Sequence, residues 1–183
     1  MSKRKDERNI IYLDMDGVLA DFDSHFEMLT GLHPNHFEND NDGFWKVFDK
    51  HHHTFFLDIP EYHYLDQWVR EIADLAFEHD YDIEILTALP RKSTVPLAST
   101  HKREWTKNRS HVLPYKVNFG PHAKDKQKWA KPEHFLIDDK ALNIQQWNDA
   151  GGFGICHSPD RPWVTVRLLE NTLKYFKELK EQQ

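Results

Sequence analysis

A chain of 183 residues with 39% hydrophobic and 30% charged residues has the size and balance of one soluble globular domain, with room for a small inserted subdomain. No apolar run approaches the roughly 18 residues that span a membrane, and a formal charge of −6 opposes the broad, sequence-independent nucleic-acid binding that Lys and Arg confer. The single cysteine, Cys156, cannot form an internal disulfide, and the segment MSKRKDERN lacks the apolar stretch and cleavage site of a signal peptide, so a reducing, cytoplasmic location is expected.

Ile10-Ile11-Tyr12-Leu13 is a β-branched and aromatic run that stops at Asp14-Met15-Asp16-Gly17, the pattern of a buried strand delivering carboxylates at its carboxyl end. Gly17 supplies the turn. The segment from Phe22 to Tyr64 breaks the strand-helix rhythm, is too long for an ordinary loop, and reads as a small, mostly helical cap. Thirteen histidines include His51, His52 and His53 in a row, but adjacent positions point in different directions, which argues against a shared metal ion. Helical patterns follow over Leu65 to Glu78 and Ser99 to Lys107, with a strand over Ile83 to Leu86 between them that ends at Thr87. A third strand, His134 to Ile137, ends at Asp138-Asp139; a helix over Ala141 to Ala150 is closed by Gly151-Gly152, and a polar helix covers Val164 to Glu181.

Strands alternating with helices predict an α/β fold, a Rossmann-like three-layer core around a parallel sheet. The expected division is a core of residues 1–21 and 65–183 with a cap of residues 22–64. In open parallel sheets ligands sit outside the carboxyl ends of the strands, so Asp14 and Asp16, Thr87, and Asp138 and Asp139 should converge on one crevice.

That set of groups suits phosphoryl transfer. Asp14 is the candidate nucleophile, and Asp16 the acid that protonates the leaving oxygen and then the base that activates water. A carboxylate approaching a phosphate dianion needs a counter-charge, and magnesium, which prefers oxygen ligands, matches Asp14, the main-chain carbonyl of Asp16 and a carboxylate from Asp138 or Asp139. Thr87 can offer its hydroxyl and main-chain N–H groups to the phosphate, and a lysine from the stretch Ala123 to Lys128 completes the cradle, Lys126 ahead of Lys124. Each part has a plainer explanation. Asp-x-Asp-Gly is also a common turn, Asp-Asp a common helix cap, threonine a common strand residue, and a lysine run a common solvated face. Their order, each at a strand end, makes the set more specific than any member.

Asp14-Met15-Asp16-Gly17-Val18-Leu19-Ala20-Asp21-Phe22 resembles the first motif of the haloacid dehalogenase-like phosphatases, with Thr87 as the second, Lys126 as the third and Asp138-Asp139 as the fourth. Together with Phe55-Phe56-Leu57-Asp58-Ile59-Pro60 and Leu136-Ile137-Asp138-Asp139-Lys140, the chain is similar to the 5'(3')-deoxyribonucleotidases and their phage and bacterial relatives. The resemblance implies magnesium and hydrolysis of nucleoside monophosphates to nucleoside and phosphate, with Asp14, Asp16, Asp138 and Asp139 at the metal. Ala88 stands where those enzymes carry serine, which removes one phosphate contact, and extra residues precede the Asp-Asp pair. Ala123-Lys124-Asp125-Lys126 aligns with their Thr-Arg-Asp-Lys and favours Lys126. The resemblance also points to Phe22 and Phe44 for base stacking. By helical spacing, Trp45 and Phe48 are expected to pack the cap, and Phe55 and Phe56 to be core.

The expected partner is a small phosphomonoester, with no membrane and no extended nucleic acid; a homodimer stays open, as does a phage origin with action in the host cytoplasm. Three other readings stay open: hydrolysis of another small phosphomonoester or of a nucleic-acid phosphate end, a non-catalytic phosphate or nucleotide binder, and an acidic cluster that binds metal for structure alone.

Overall fold

The computed structural model describes residues 8–50, 53–90, 95–109, 111–114, 116–120 and 122–182, so His51 and His52 of the histidine run lie outside the described residues. Five strands, β1 (Asn9–Leu13), β2 (Tyr81–Ala88), β3 (Val117–Gly120), β4 (Phe135–Asp138) and β5 (Phe153–Cys156), form one sheet in the order β3-β2-β1-β4-β5 with every pairing parallel. The fold is α/β and Rossmann-like. Parallel neighbours need a crossover between them, and here the helices α4 (Leu65–Glu78), α5 (Ala98–Lys107) and α6 (Ala141–Asp149) lie in those connections, with the 3-10 helix Ala123–Trp129 between β3 and β4, while α7 (Pro162–Glu181) follows β5 and packs back on the sheet.

The sheet is covered on both faces, which is why its central strands read as unbroken apolar runs. Ile11, Leu13, Ile85, Phe135 and Ile137 pack into one core with Trp68 and Ile72 of α4 and Leu169 of α7. Tyr12, Leu86 and Leu136, pointing the other way, pack with Trp147 of α6. On α4 the buried residues Leu65, Trp68, Val69, Ile72 and Ala76 recur at helical spacing and set the face it turns inward.

Between β1 and α4 the chain forms α1 (Phe22–Thr30), a 3-10 turn (Pro34–Phe37), α2 (Asn41–Phe48) and α3 (Phe55–Asp58). This excursion leaves and returns side by side: the Asp21 N–H donates to the Pro60 carbonyl at 2.9 Å, and the Tyr62 N–H to the Leu19 carbonyl at 3.3 Å. Phe26, Phe48, Phe55 and Phe56 are buried within it. Among the described residues, no helix is long and apolar enough to cross a membrane.

The strand order turns back at β1, because the chain builds outward through β2 and β3 and then resumes on the far side with β4 and β5. Such a switch point opens a crevice at the carboxyl ends of the strands beside it. Here those ends carry Asp14, Thr87 and Asp138.

Candidate active site

Asp14 follows β1 directly, and its main-chain N–H donates to the Ile137 carbonyl at 2.9 Å, which prolongs the β1–β4 pairing into the crevice. Its carboxylate accepts from the Met15 N–H at 2.7 Å through Oδ1 and faces Lys126 Nζ at 2.7 Å through Oδ2. Lys126 comes from the 3-10 helix Ala123–Trp129 and is 2% exposed, with its ammonium also 2.6 Å from Asp138 Oδ2. Burial opposes charge on Lys126, but Asp14 and Asp138 outweigh it and push the ammonium up to about 12. Of the two lysines considered from sequence, Lys126 therefore reaches the acidic centre; the side chain of Lys124 lies outside the described residues.

Asp138 ends β4 fully buried, and its Oδ1 accepts from the Lys140 N–H and Asn143 Nδ2, both at 2.9 Å. It thus ties the start of α6 to the sheet while Lys126 holds its other oxygen. Burial, then the neighbouring charge of Asp14, push the Asp138 carboxyl up. Asp139 is pushed up to about 7 by burial and by Asp14, and its Oδ1 is buried with no hydrogen-bond partner. Carboxylate oxygens of Asp14, Asp138 and Asp139 lie within 4.8 Å of one another.

Gly17 sits against this cluster with φ +81°, and a Cβ there would lie 2.6 Å from Asp139 Cγ. The turn after Asp16 is therefore closed to any other residue on two counts, backbone conformation and space. Crowded carboxylates, an orphaned buried oxygen and a backbone turn pressed close fit a hard, oxygen-seeking cation. Asp14 and Asp138 or Asp139 are the residues that would hold magnesium.

Asp16 is held by a residue that the sequence reading passed over. Lys102, from α5, is wholly buried, and its ammonium donates to Asp16 Oδ2 at 2.6 Å, to Thr87 Oγ1 at 2.8 Å and to the Ala88 carbonyl at 3.0 Å. The Thr87 hydroxyl is thus engaged by Lys102, and Asp16 keeps its Oδ1 without a hydrogen-bond partner. The sequence carries only a faint signal for Lys102, its place one turn before Trp105, and the structure shows what that place means. His101, Lys102, Trp105 and Thr106 form the buried stripe of α5, and a lysine on such a stripe needs a counter-charge inside the protein.

A cavity of about 650 Å³ opens over these groups, and Asp16, Phe22, Phe44, Trp45, Ala88 and Asp139 are in its wall. Phe22 also stacks on Phe26 and Phe48 with ring centroids 6.2 and 6.4 Å apart, so one ring serves both the packing of the helical excursion and the cavity wall. Phe44 stacks on Phe26 at 5.0 Å in the same way. Phe48 is buried as expected from its spacing, whereas Trp45 packs edge-on against Phe48 at 5.6 Å and also reaches the cavity.

No family model matches the chain, and no curated protein sequence matches it. Among solved structures, the chain is similar to the HAD domain of the effector protein Lem4 from Legionella pneumophila, an inactive mutant, with 11% identity and a TM-score of 0.41 over 94% of this chain and 92% of that one.

Proposed function

We propose that this protein is a magnesium-dependent phosphomonoesterase that hydrolyses nucleoside monophosphates, deoxynucleotides foremost, to nucleoside and phosphate through an aspartyl-phosphate. The observation that carries the reading is the buried centre in which Lys126 bridges Asp14 and Asp138 while Asp139 is left with an unpaired oxygen. Structural ion pairs are normally satisfied within the protein; this centre has more negative charge than its own cation balances.

In the proposed reaction an Asp14 carboxylate oxygen attacks phosphorus, the ester P–O bond breaks, and the leaving oxygen takes a proton from Asp16. Asp16 then accepts a proton from the water that attacks the phosphorus of the aspartyl-phosphate, which returns Asp14 and releases phosphate. Lys126 holds Asp14 in place and offsets charge as it develops. Lys102 fixes Asp16 by one oxygen, and the other has no partner among the described residues with which the leaving group would compete. Bound magnesium would supply positive charge that offsets the repulsion between Asp14 and the phosphate. Phe22 and Phe44 give the cavity aromatic surfaces on which a base can stack, a contact worth about 1–3 kcal/mol per base. In this reading residues 22–64 are the cap over the site.

Phosphate release from nucleoside 5'- and 3'-monophosphates and sugar phosphates, measured with magnesium beside Asp14→Asn, tests the reading. Release from deoxynucleotides that vanishes in the variant supports it. Release from sugar phosphates alone keeps the chemistry and discards the nucleotidase. Tight ligand binding without release from any substrate discards the enzyme.

A further inference from the structure

Helix α7 turns two unlike faces outward and inward. Inward it buries Pro162, Thr165, Leu169 and Leu173. On the opposite side Val164, Leu168, Tyr175 and Leu179 are 49%, 47%, 56% and 38% exposed. At 100° per residue these four lie within a narrow stripe, with Asn171 between the two pairs, along a helix about 30 Å long. A polar helix on a monomer has no need of four large apolar side chains in line, and exposed apolar surface gathered on one stripe, here in two pairs, marks an interaction site.

The order of the stripe restricts its partner. Val164 and Leu179 are equidistant from the midpoint between Asn171 and Thr172, and so are Leu168 and Tyr175. When two copies of this helix cross antiparallel about a two-fold axis at that midpoint, Leu168 of each meets Tyr175 of the other, and Val164 meets Leu179. A two-fold interface requires this kind of self-complementarity.

The charges beside the stripe follow the same symmetry. In an antiparallel helix pair each flank faces the same flank of its partner. Arg167 and Glu178 share one flank, are exposed, and form no ion pair among the described residues, unlike Lys174, which is spent on Glu170 at 2.6 Å, and Lys180, which pairs with Glu133. Across the two-fold, Arg167 of one copy lies beside Glu178 of the other, twice over. From the stripe and these flanking charges we infer that α7 is a homodimer interface, its occupant the α7 of a second copy of this chain. The helix ends far from Asp14 in the sequence and contributes none of the cavity wall, so the inference stands apart from the proposed reaction.

Sedimentation equilibrium of the full chain across a range of concentrations tests it, with Leu168→Glu, Glu178→Arg and the charge-exchanged Arg167→Glu/Glu178→Arg. The expected result is a dimer that both single substitutions weaken by about tenfold or more, since each is counted twice by the two-fold. The exchanged pair should recover most of the loss. In a Cys156→Ser background, Asn171→Cys should form a disulfide between copies on mild oxidation, because the axis passes beside it. A monomer at every concentration overturns the inference. So does a dimer that ignores Leu168→Glu, or one in which the charge exchange is no better than Glu178→Arg. Circular dichroism of each variant separates loss of the helix from loss of the interface.

Discussion

Lys102→Met separates a structural lysine from one that positions a reacting group. The ammonium is wholly buried and gives hydrogen bonds to Asp16, Thr87 and the Ala88 carbonyl at 2.6, 2.8 and 3.0 Å. Methionine preserves the stem and removes all three. Breaking a fully buried ion pair costs about 3–5 kcal/mol, but the Asp16 side chain is 28% exposed and can recover water, so a smaller loss of about 1–3 kcal/mol is expected. If Lys102 acts by holding Asp16, kcat for an alkyl phosphate should fall by about 10²–10⁴, the range for general acid-base catalysis, with KM little changed. An aryl phosphate whose leaving oxygen needs no proton should lose far less. Asp16→Asn combined with Lys102→Met should be no slower than Asp16→Asn alone, since both remove the same function. Steady-state kinetics on the two ester classes, with urea unfolding for stability, reads every quantity. Equal losses on alkyl and aryl esters, or a double variant slowed by the product of the two single effects, would refute the argument that Lys102 works through Asp16.

Lys126→Met leaves Asp14 and Asp138 facing each other without a cation, and should cost about 3–5 kcal/mol in chelator by urea unfolding. That loss should shrink at acid pH, where a carboxyl already pushed up takes a proton more readily in the folded state than in the unfolded. Gly17→Ala meets a left-handed backbone, worth about 1–2 kcal/mol, and drives a methyl against Asp139, so calorimetry should record weaker magnesium binding along with a lower Tm. Burial lowers His157 to about 4, and its ring lies 3.0 Å from the Tyr64 hydroxyl and 2.9 Å from that of Thr165. The neutral ring is the folded form, so its contribution is full above the unfolded value of about 6.5 and is lost as pH falls toward 4, in all about 3 kcal/mol. Asp139, pushed up to about 7, has the opposite slope, so the His157 effect is read as the difference between wild type and His157→Asn in unfolding between pH 4 and 7. Phe44→Ala should raise KM for nucleotides by up to about a hundredfold with kcat nearly kept, whereas equal KM values would remove Phe44 from base contact.

The strands that carry the acidic centre were legible because they are central. β1 and β4 are buried on both faces, and Ile11, Leu13, Phe135, Leu136 and Ile137 have no exposed surface. Such burial demands an apolar run, and the run must stop where the polar groups begin. The edge strands gave no such signal. β3 is Val117-Asn118-Phe119-Gly120, in which Asn118 Nδ2 donates to Glu84 at 2.8 Å, and β5 is Phe153-Gly154-Ile155-Cys156, with Phe153 and Cys156 exposed. Four residues with mixed polarity are too few for periodicity to register, and pairing with one neighbour is what makes them strands. Lys102 was missed for a different reason. Helical periodicity ranks apolar residues, and a buried lysine enters it as an exposed one.

The helical excursion gives up less of its role to sequence, because its aromatic residues answer two demands with the same side chains. Phe26, Phe48, Phe55 and Phe56 are buried and form a core of stacked and tilted rings, with Phe48 and Phe55 4.7 Å apart. Phe22 and Phe44 rest on that core by one face and reach the cavity by another part of the ring. Spacing along a helix reports the first contact and is silent on the second. The same arrangement divides the molecule's tasks physically. Groups proposed to act on the phosphate are fixed by the sheet, through Asp14 and Asp138 at strand ends and through Lys102 and Lys126 beneath them. Groups that would meet the rest of the substrate stand on the aromatic rings of the helical excursion, which continue the apolar core under the sheet but give no ligand to the Lys126 bridge. Changes at Phe22, Phe44 or Trp45 should therefore alter which phosphate ester is accepted while leaving the Lys126 bridge, and the reaction it supports, in place.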